Sequence, residues 1–211
     1  ETVEQFMDQF ISKGYLPEAI LNFMSLLGWS PKSEQEIFTK EELVKLFTLD
    51  GLSKSSSMFD IEKLKWTNNK YIQKLEEEEL FKFLSPYITD LPFEKDVVMQ
   101  IIKLFQPGLH VGEEITEHVK IFTNDLSLTA EEKAFVSENK DMLSNFASKI
   151  ESITDWTQEN IKAQVQALGA ELDLKGKTLF APIRMAVSGM EHGPDLSSII
   201  MIYGKDKVLS R

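Results

Sequence analysis

The sequence predicts an all-α fold, and three observations carry that reading. Apolar residues recur at three- and four-residue spacing in segment after segment. Those segments are separated by Gly, Pro and Ser/Thr/Asp signals that start and stop helices. No stretch sustains strict alternation; the nearest approach to a strand, Ile199 to Tyr203, is short and bounded by helical signals.

Taken in order, Val3 to Lys13 places Phe6, Met7, Phe10 and Ile11 on a helical face and stops at Gly14. Pro17 suits the first turn of a second helix running to Gly28; it is apolar nearly all round and is expected at the centre of the first core. Thr39 with Glu42 forms a capping pattern ahead of Leu43, Val44, Leu46 and Phe47, and Gly51 is the expected stop. Asp60 or Ser57 caps a helix through Ile61, Leu64 and Trp66, and Leu75 to Leu84 continues the pattern as far as Pro86. Further helices are expected over Glu94 to Phe105, His110 to Phe122, Thr129 to Asn139, Lys140 to Ser152, Gln158 to Leu168, Leu179 to Ser188, Asp195 to Tyr203 and Lys205 onward. A domain boundary is placed near Leu75, giving 1–75 and 76–211, with a weaker division near 148.

The 211 residues are 42% hydrophobic, carry a net charge of −11 and contain no Cys. That composition is globular, and it excludes disulfides, thiol nucleophiles and Cys-ligated zinc. With no long uncharged apolar run, a membrane span is not expected and a cytoplasmic location is the default. The opening at Glu1, with neither an initiator Met nor a signal pattern, reads as a piece of something longer.

Acidic balance argues against nucleic-acid binding in general, because phosphate neutralisation needs Lys and Arg. The acid is unevenly spread, however. Glu113 to Glu159 holds eleven acids against four Lys, and Glu76 to Glu79 is a run of four. Glu62 to Lys74 has four Lys against one acid, and Glu171 to Arg211 has six basic residues against five acidic ones. Binding is expected in these last two segments. Arg184 and Arg211 are the only arginines.

Sites of chemistry are scarce. His110, His118 and His192 lack metal-ligand spacing, the Ser-rich Gly51 to Asp60 stretch lacks a phosphate-loop frame, and the Glu run reads as a solvated face. Two segments stand apart. Trp66-Thr67-Asn68-Asn69-Lys70-Tyr71-Ile72 interleaves rings, amides and Lys, which can stack on bases, read edges and meet phosphate, or else form a core hinge. Leu179 to Gly189, followed by Glu191 to Leu196, sets Arg184 in an apolar helix before a Gly/Pro turn; its backbone NH groups suit nucleotides, and equally an ordinary turn.

These residues also carry a resemblance. Gly14-Tyr15-Leu16-Pro17-Glu18-Ala19-Ile20-Leu21-Asn22-Phe23 and Leu26-Leu27-Gly28-Trp29-Ser30 resemble the segment after the KMSKS loop of bacterial glutamyl-tRNA synthetases. Met58-Phe59-Asp60, Lys63 to Ile72 and the terminal PIRMAVSG, HGPDL and YGKDKVL are similar to later hallmarks of that family. The resemblance implies the C-terminal, tRNA-binding half of a class I enzyme: a helical stem-contact domain, then an α-helical anticodon-binding domain. The parent would use ATP and Mg to join glutamate to tRNA(Glu), acting as a monomer with no DNA or membrane partner. HIGH and KMSKS are absent, and Ser53-Lys54-Ser55 lies outside their place, so this piece is expected to be inactive with no cofactor.

Carried over one at a time, the family's anticodon-arm contacts fall on Lys63, Trp66, Asn68 and Gln73, with Lys70 in the same segment, and on Arg184, Gly193, Pro194 and Leu196. Gln73 stands where some members have Arg. Gly108 stands where members confined to glutamate tRNA carry an Arg that reads the last anticodon base, so tRNA(Gln) is an expected second partner. The alternative reading, an acidic helical protein-interaction scaffold, is favoured by the −11 charge.

Overall fold

The computed structural model describes residues 3–53, 58–89 and 91–211, with side chains from Met7 onward. Among them are thirteen α-helices and no strand; one isolated bridge pairs Trp29 with Leu52. The chain divides into two compact units, one of Glu1–Leu91 with Phe105–His118, the other of Pro92–Leu104 with Val119–Arg211.

The first unit holds α1 (Val3–Lys13), α2 (Pro17–Gly28), α3 (Lys40–Leu46), α4 (Ile61–Ile72) and α5 (Glu77–Leu84). Thr39 and Glu42 make the expected capping box at α3, and Asp60 accepts from Glu62 N and Lys63 N at α4. Ser57 and the Lys54-Ser55 part of the Ser-rich stretch lie outside the described residues. The helix at α3 ends at Phe47, ahead of Gly51, which instead closes a 3-10 turn over Leu49–Gly51. Helix α5 begins at Glu77 after a break, because the chain tightens behind α4 through Lys74 N to Tyr71 O and Leu75 N to Ile72 O. Glu77, Glu78 and Glu79 then occupy its first turn, where the helix dipole favours negative charge.

Helix α2 packs against α3 and α4. It is not enclosed all round: Ala19, Ile20, Asn22 and Phe23 are buried, while Leu21 and Met24 are 44% and 50% exposed. Two neighbouring helices cover one side and leave the other to solvent. Tyr15, Ile20, Phe23, Leu64 and Val111 form one core cluster, and Trp29, Phe38 and Leu43 a second. Gly14 is required by geometry. Its φ is +88°, and a Cβ there would lie 2.2 Å from Gly112 N.

Helices α6 (Lys95–Phe105) and α7 (Ile115–Thr123) follow, and the second unit continues with α8 (Ala130–Glu138), α9 (Lys140–Glu151), α10 (Gln158–Glu171), α11 (Lys177–Ser188), α12 (Leu196–Tyr203) and α13 (Lys205–Leu209). Ile199 to Tyr203 is helical, as its flanking cap at Asp195 requires. Helix α10 packs on α9 and α12, and α11 on α8. At Gly169 a Cβ would fall 2.7 Å from Leu179 Cδ2 and 2.8 Å from Leu174 O, so its absence lets α11 approach α10.

The C-terminal cations serve the fold. Lys205 Nζ donates to Ile153 O at 2.8 Å, Lys207 Nζ to Phe122 O at 2.7 Å and Arg211 Nη1 to Val187 O at 2.8 Å. These bonds satisfy carbonyls that helix ends and turns leave unpaired, and they give three of the cations of this segment a structural role.

Candidate nucleic-acid interface

Helix α4 sorts its residues by side. Lys63, Trp66, Lys70 and Gln73 recur at i, i+3, i+7 and i+10 and form one outward stripe, whereas Leu64, Asn68 and Ile72 point inward. Trp66 lies between two cations, with Lys63 Nζ 4.2 Å and Lys70 Nζ 5.8 Å from its ring centroid. Lys63 also pairs with Glu36, which neutralises part of its charge. Such a half-exposed ring with flanking ammonium groups can stack on a base or sugar while a cation meets phosphate.

Asn68 corrects the expectation for this segment. It is 0% exposed, its Oδ1 accepts from Leu16 N at 2.8 Å, and its Nδ2 donates to Gly14 O at 3.0 Å and His110 O at 2.7 Å. With its amide fully used, it positions the unit and has no exposed atom to offer RNA. Tyr71 is half-buried: its hydroxyl donates to Phe38 O with Asn22 Oδ1 also within reach, and burial pushes its pKa up to about 12.

The Gln106–Gly108 turn is fastened to the end of this stripe. Asn69 Nδ2 donates to Leu109 O at 2.7 Å, Gln73 Nε2 to Pro107 O at 2.9 Å, and Gln106 Nε2 to Ile72 O at 2.8 Å. Gly108 itself is exposed, and a Cβ there would meet nothing within 4 Å.

The second site is a 310 Å³ pocket in the second unit. Phe180 and Arg184, one turn apart on α11, face Lys162 and Gln166, one turn apart on α10, and the Gly193 to Ser197 turn completes it. Arg184 Nη1 donates to Pro194 O at 2.8 Å, fixing the guanidinium on the turn. Burial presses the Arg184 pKa downward, against the opposing effect of Asp195. For Asp195, burial would raise the pKa, but hydrogen bonds from Ser197, Ser198 and Gln158 outweigh it and hold the carboxyl below its ordinary value. The acid is therefore consumed as the α12 cap, and the pocket presents cations, an amide and a ring.

Sequence reasoning found Arg184, Gly193, Pro194 and Leu196, and all four line this pocket. It missed Lys162, Gln166 and Phe180. The first two are polar residues of an ordinary helix face, and nothing in their spacing says which helix lies opposite. Phe180 at 39% exposure is the one available signal, an aromatic left open beside the lone internal Arg.

A family model described as "Anticodon binding domain" matches residues 77–211. The chain belongs to this anticodon-binding-domain family. A second model, "tRNA synthetases class I (E and Q), catalytic domain", matches residues 1–66. Among the relatives of this family member, the glutamate–tRNA ligase of Bacillus subtilis is 40% identical, over 100% of this chain and 46% of its own length. That of Mesoplasma florum is 39% identical, over 97% of this chain and 44% of its own. The crystal structure of a glutamate tRNA ligase from Elizabethkingia meningosepticum, in complex with its amino acid, superposes with a TM-score of 0.83 at 25% identity, covering 95% of this chain and 41% of that one. The chain thus spans under half the length of these relatives. The all-α expectation and the resemblance to glutamyl-tRNA synthetases both hold.

Among the described residues no helix is long and apolar enough to cross a membrane, and no group of three or more His, Asp or Glu residues is placed to hold a metal ion.

Proposed function

We propose that this chain is the tRNA anticodon-arm recognition module of a glutamate–tRNA ligase, with residues 1–75 contacting the tRNA stem and residues 76–211 reading the anticodon. The observation that carries the reading is the Arg184 pocket, where a ring, an amide and two cations converge inside the segment matched by the anticodon-binding model. The α4 stripe of Lys63, Trp66, Lys70 and Gln73 supplies a second contact surface, and Asn68 holds that helix in place.

The longer parent would join glutamate to tRNA(Glu) in the cytoplasm as a monomer, with ATP and Mg held by parts outside this chain; no residue here is assigned to them. The open position at Gly108 supports acceptance of tRNA(Gln) as well. The test is a titration of the chain with tRNA(Glu), tRNA(Gln) and an unrelated tRNA at two salt concentrations. Preference for the first two that weakens with salt is expected. Equal binding to all three would sink the proposal. The −11 charge favours one other reading, a protein-interaction scaffold, which salt-insensitive binding to a protein with none to tRNA would select.

A further inference from the structure

We infer that the second unit carries a binding site for a small amphiphilic anion, an apolar chain or ring bearing one carboxylate, in the cavity bounded by α8, α9, α11 and α13. The cavity shares no lining residue with the Arg184 pocket and stands whether or not that pocket reads an anticodon.

Its volume is 430 Å³, within the ~300–1,000 Å³ usual for small-molecule sites. The apolar part comes from Leu143 and Phe146 of α9, Val187 near the end of α11 and Val208 of α13. Helix α8 supplies the remaining wall through Lys133, Val136 and Ser137, and it buries none of its own residues. An apolar body filling the space would lose its contact with water and give α8 the packing partner it lacks.

Charge decides what that body carries. Glu113 to Glu159 holds eleven acids and four Lys, yet among the described residues no acid lines the cavity, while two of those four, Lys133 and Lys140, do. Both are exposed, and neither pairs with an acid among the described residues. Lys149, by contrast, meets Glu171 at 2.6 Å. The acids of α8 are used elsewhere: Glu131 and Glu132 line a separate cavity on its other flank, and Glu132 Oε2 accepts from Thr129 N at 2.7 Å in the helix cap. Arg211 also borders the 430 Å³ cavity, but its guanidinium is bonded to Val187 O and its Cζ lies 4.6 Å from the Tyr203 ring centroid. Lys133, Ser137 and Lys140 recur at i, i+4 and i+7 across the α8–α9 junction. Two ammonium groups and a hydroxyl thus edge one side of an apolar cavity, and all three can donate to a carboxylate.

The experiment titrates the chain with octanoate by calorimetry, against octanol, octylammonium and acetate, and follows hydrogen exchange in α8. Octanoate is expected to bind more tightly than each of the other three by roughly tenfold, and to slow exchange in α8. In Lys133→Glu/Lys140→Glu octanoate is expected to weaken by roughly tenfold, and octylammonium to become the tightest ligand. The milder Lys133→Ala/Lys140→Ala should bring octanoate level with octanol. Both positions are exposed, so thermal melts of the variants are expected to match the wild type. Equal binding of octanoate and octanol to the wild type, or octanoate binding unchanged in both variants, overturns the inference. So does a dimer, seen by sedimentation, that the charge reversal abolishes while octanoate fails to bind: the face would then belong to a second copy of the chain.

Discussion

Asn68 Nδ2 lies 3.0 Å from Gly14 O, at the point where the backbone between α1 and α2 turns through a positive φ. The same side chain accepts from Leu16 N and donates to His110 O, so one amide ties together segments 42 and more residues apart. Asn68→Ala would take these partners from the half-buried bonds of Leu16 N and His110 O, at up to about 1–3 kcal/mol each. Denaturant unfolding is expected to show a loss of roughly 2–5 kcal/mol, with any weakening of tRNA binding traceable to unfolding. Asn68→Asp should be at least as harmful, because the oxygen that replaces Nδ2 would face the carbonyls of Gly14 and His110 while the other still accepts from Leu16 N. A variant of full stability that had lost tRNA affinity would mean that Asn68 touches RNA after all.

The two lysines beside Trp66 should behave differently. Lys70 makes no ion pair among the described residues, so Lys70→Ala is expected to weaken tRNA binding across sequences and to reduce the slope of log K against log salt by about 1. Lys63 already faces Glu36, and removing it also frees that acid, so Lys63→Ala should change the slope less than Lys70→Ala does. Slopes measured by titration over a salt series compare the two directly. The reverse order would show that the Glu36 pair opens when RNA binds.

The contrast between Asn68 and its neighbours shows what the sequence does and does not disclose. Helix positions were legible almost to the residue at α1, α8 and α9, where caps such as Thr129 and periodic apolar residues agree. The inward turn of Asn68 was legible too, since it stands four residues from both Leu64 and Ile72, yet chemistry was allowed to outvote periodicity. The convergence of Gln166 and Arg184 on one pocket was not legible. It depends on α10 and α11 meeting at Gly169, a long-range approach that local spacing does not encode. Cations misled in the same way: Lys205, Lys207 and Arg211 look like binding charge in a list and prove to be partners of backbone carbonyls.

His118 stacks on Phe105 with ring centroids 4.4 Å apart and an interplanar angle of 6°. Burial lowers its pKa, and Glu114 and Glu117 oppose that effect without cancelling it. A histidine whose folded pKa is depressed binds fewer protons folded than unfolded, so stability falls as pH drops below the unfolded value of about 6.5 and through the folded one. Thermal melts from pH 7.5 to 5 are expected to show a downward trend that is shallower in His118→Phe, which keeps the stack and removes the titration. Parallel curves for the two proteins would assign the trend to other groups.

Gly108 offers the sharpest functional test, because the fold places no obstacle there. The residue is exposed, its φ lies outside the left-handed region, and an added Cβ meets nothing within 4 Å, so Gly108→Arg should cost within about 0.5 kcal/mol of stability. The turn is held by Gln73, Asn69 and Gln106, which fixes the origin of a new side chain beside the α4 stripe. On the proposed reading, a guanidinium there adds a donor that faces the last anticodon base. The unaltered chain is expected to bind tRNA(Glu) and tRNA(Gln) with comparable affinity, and Gly108→Arg to favour tRNA(Glu), by about tenfold if one good base contact forms. Competition binding with the two tRNAs measures that ratio. If the stable variant strengthens binding to both alike, the new charge is meeting phosphate, and the last anticodon base is read elsewhere.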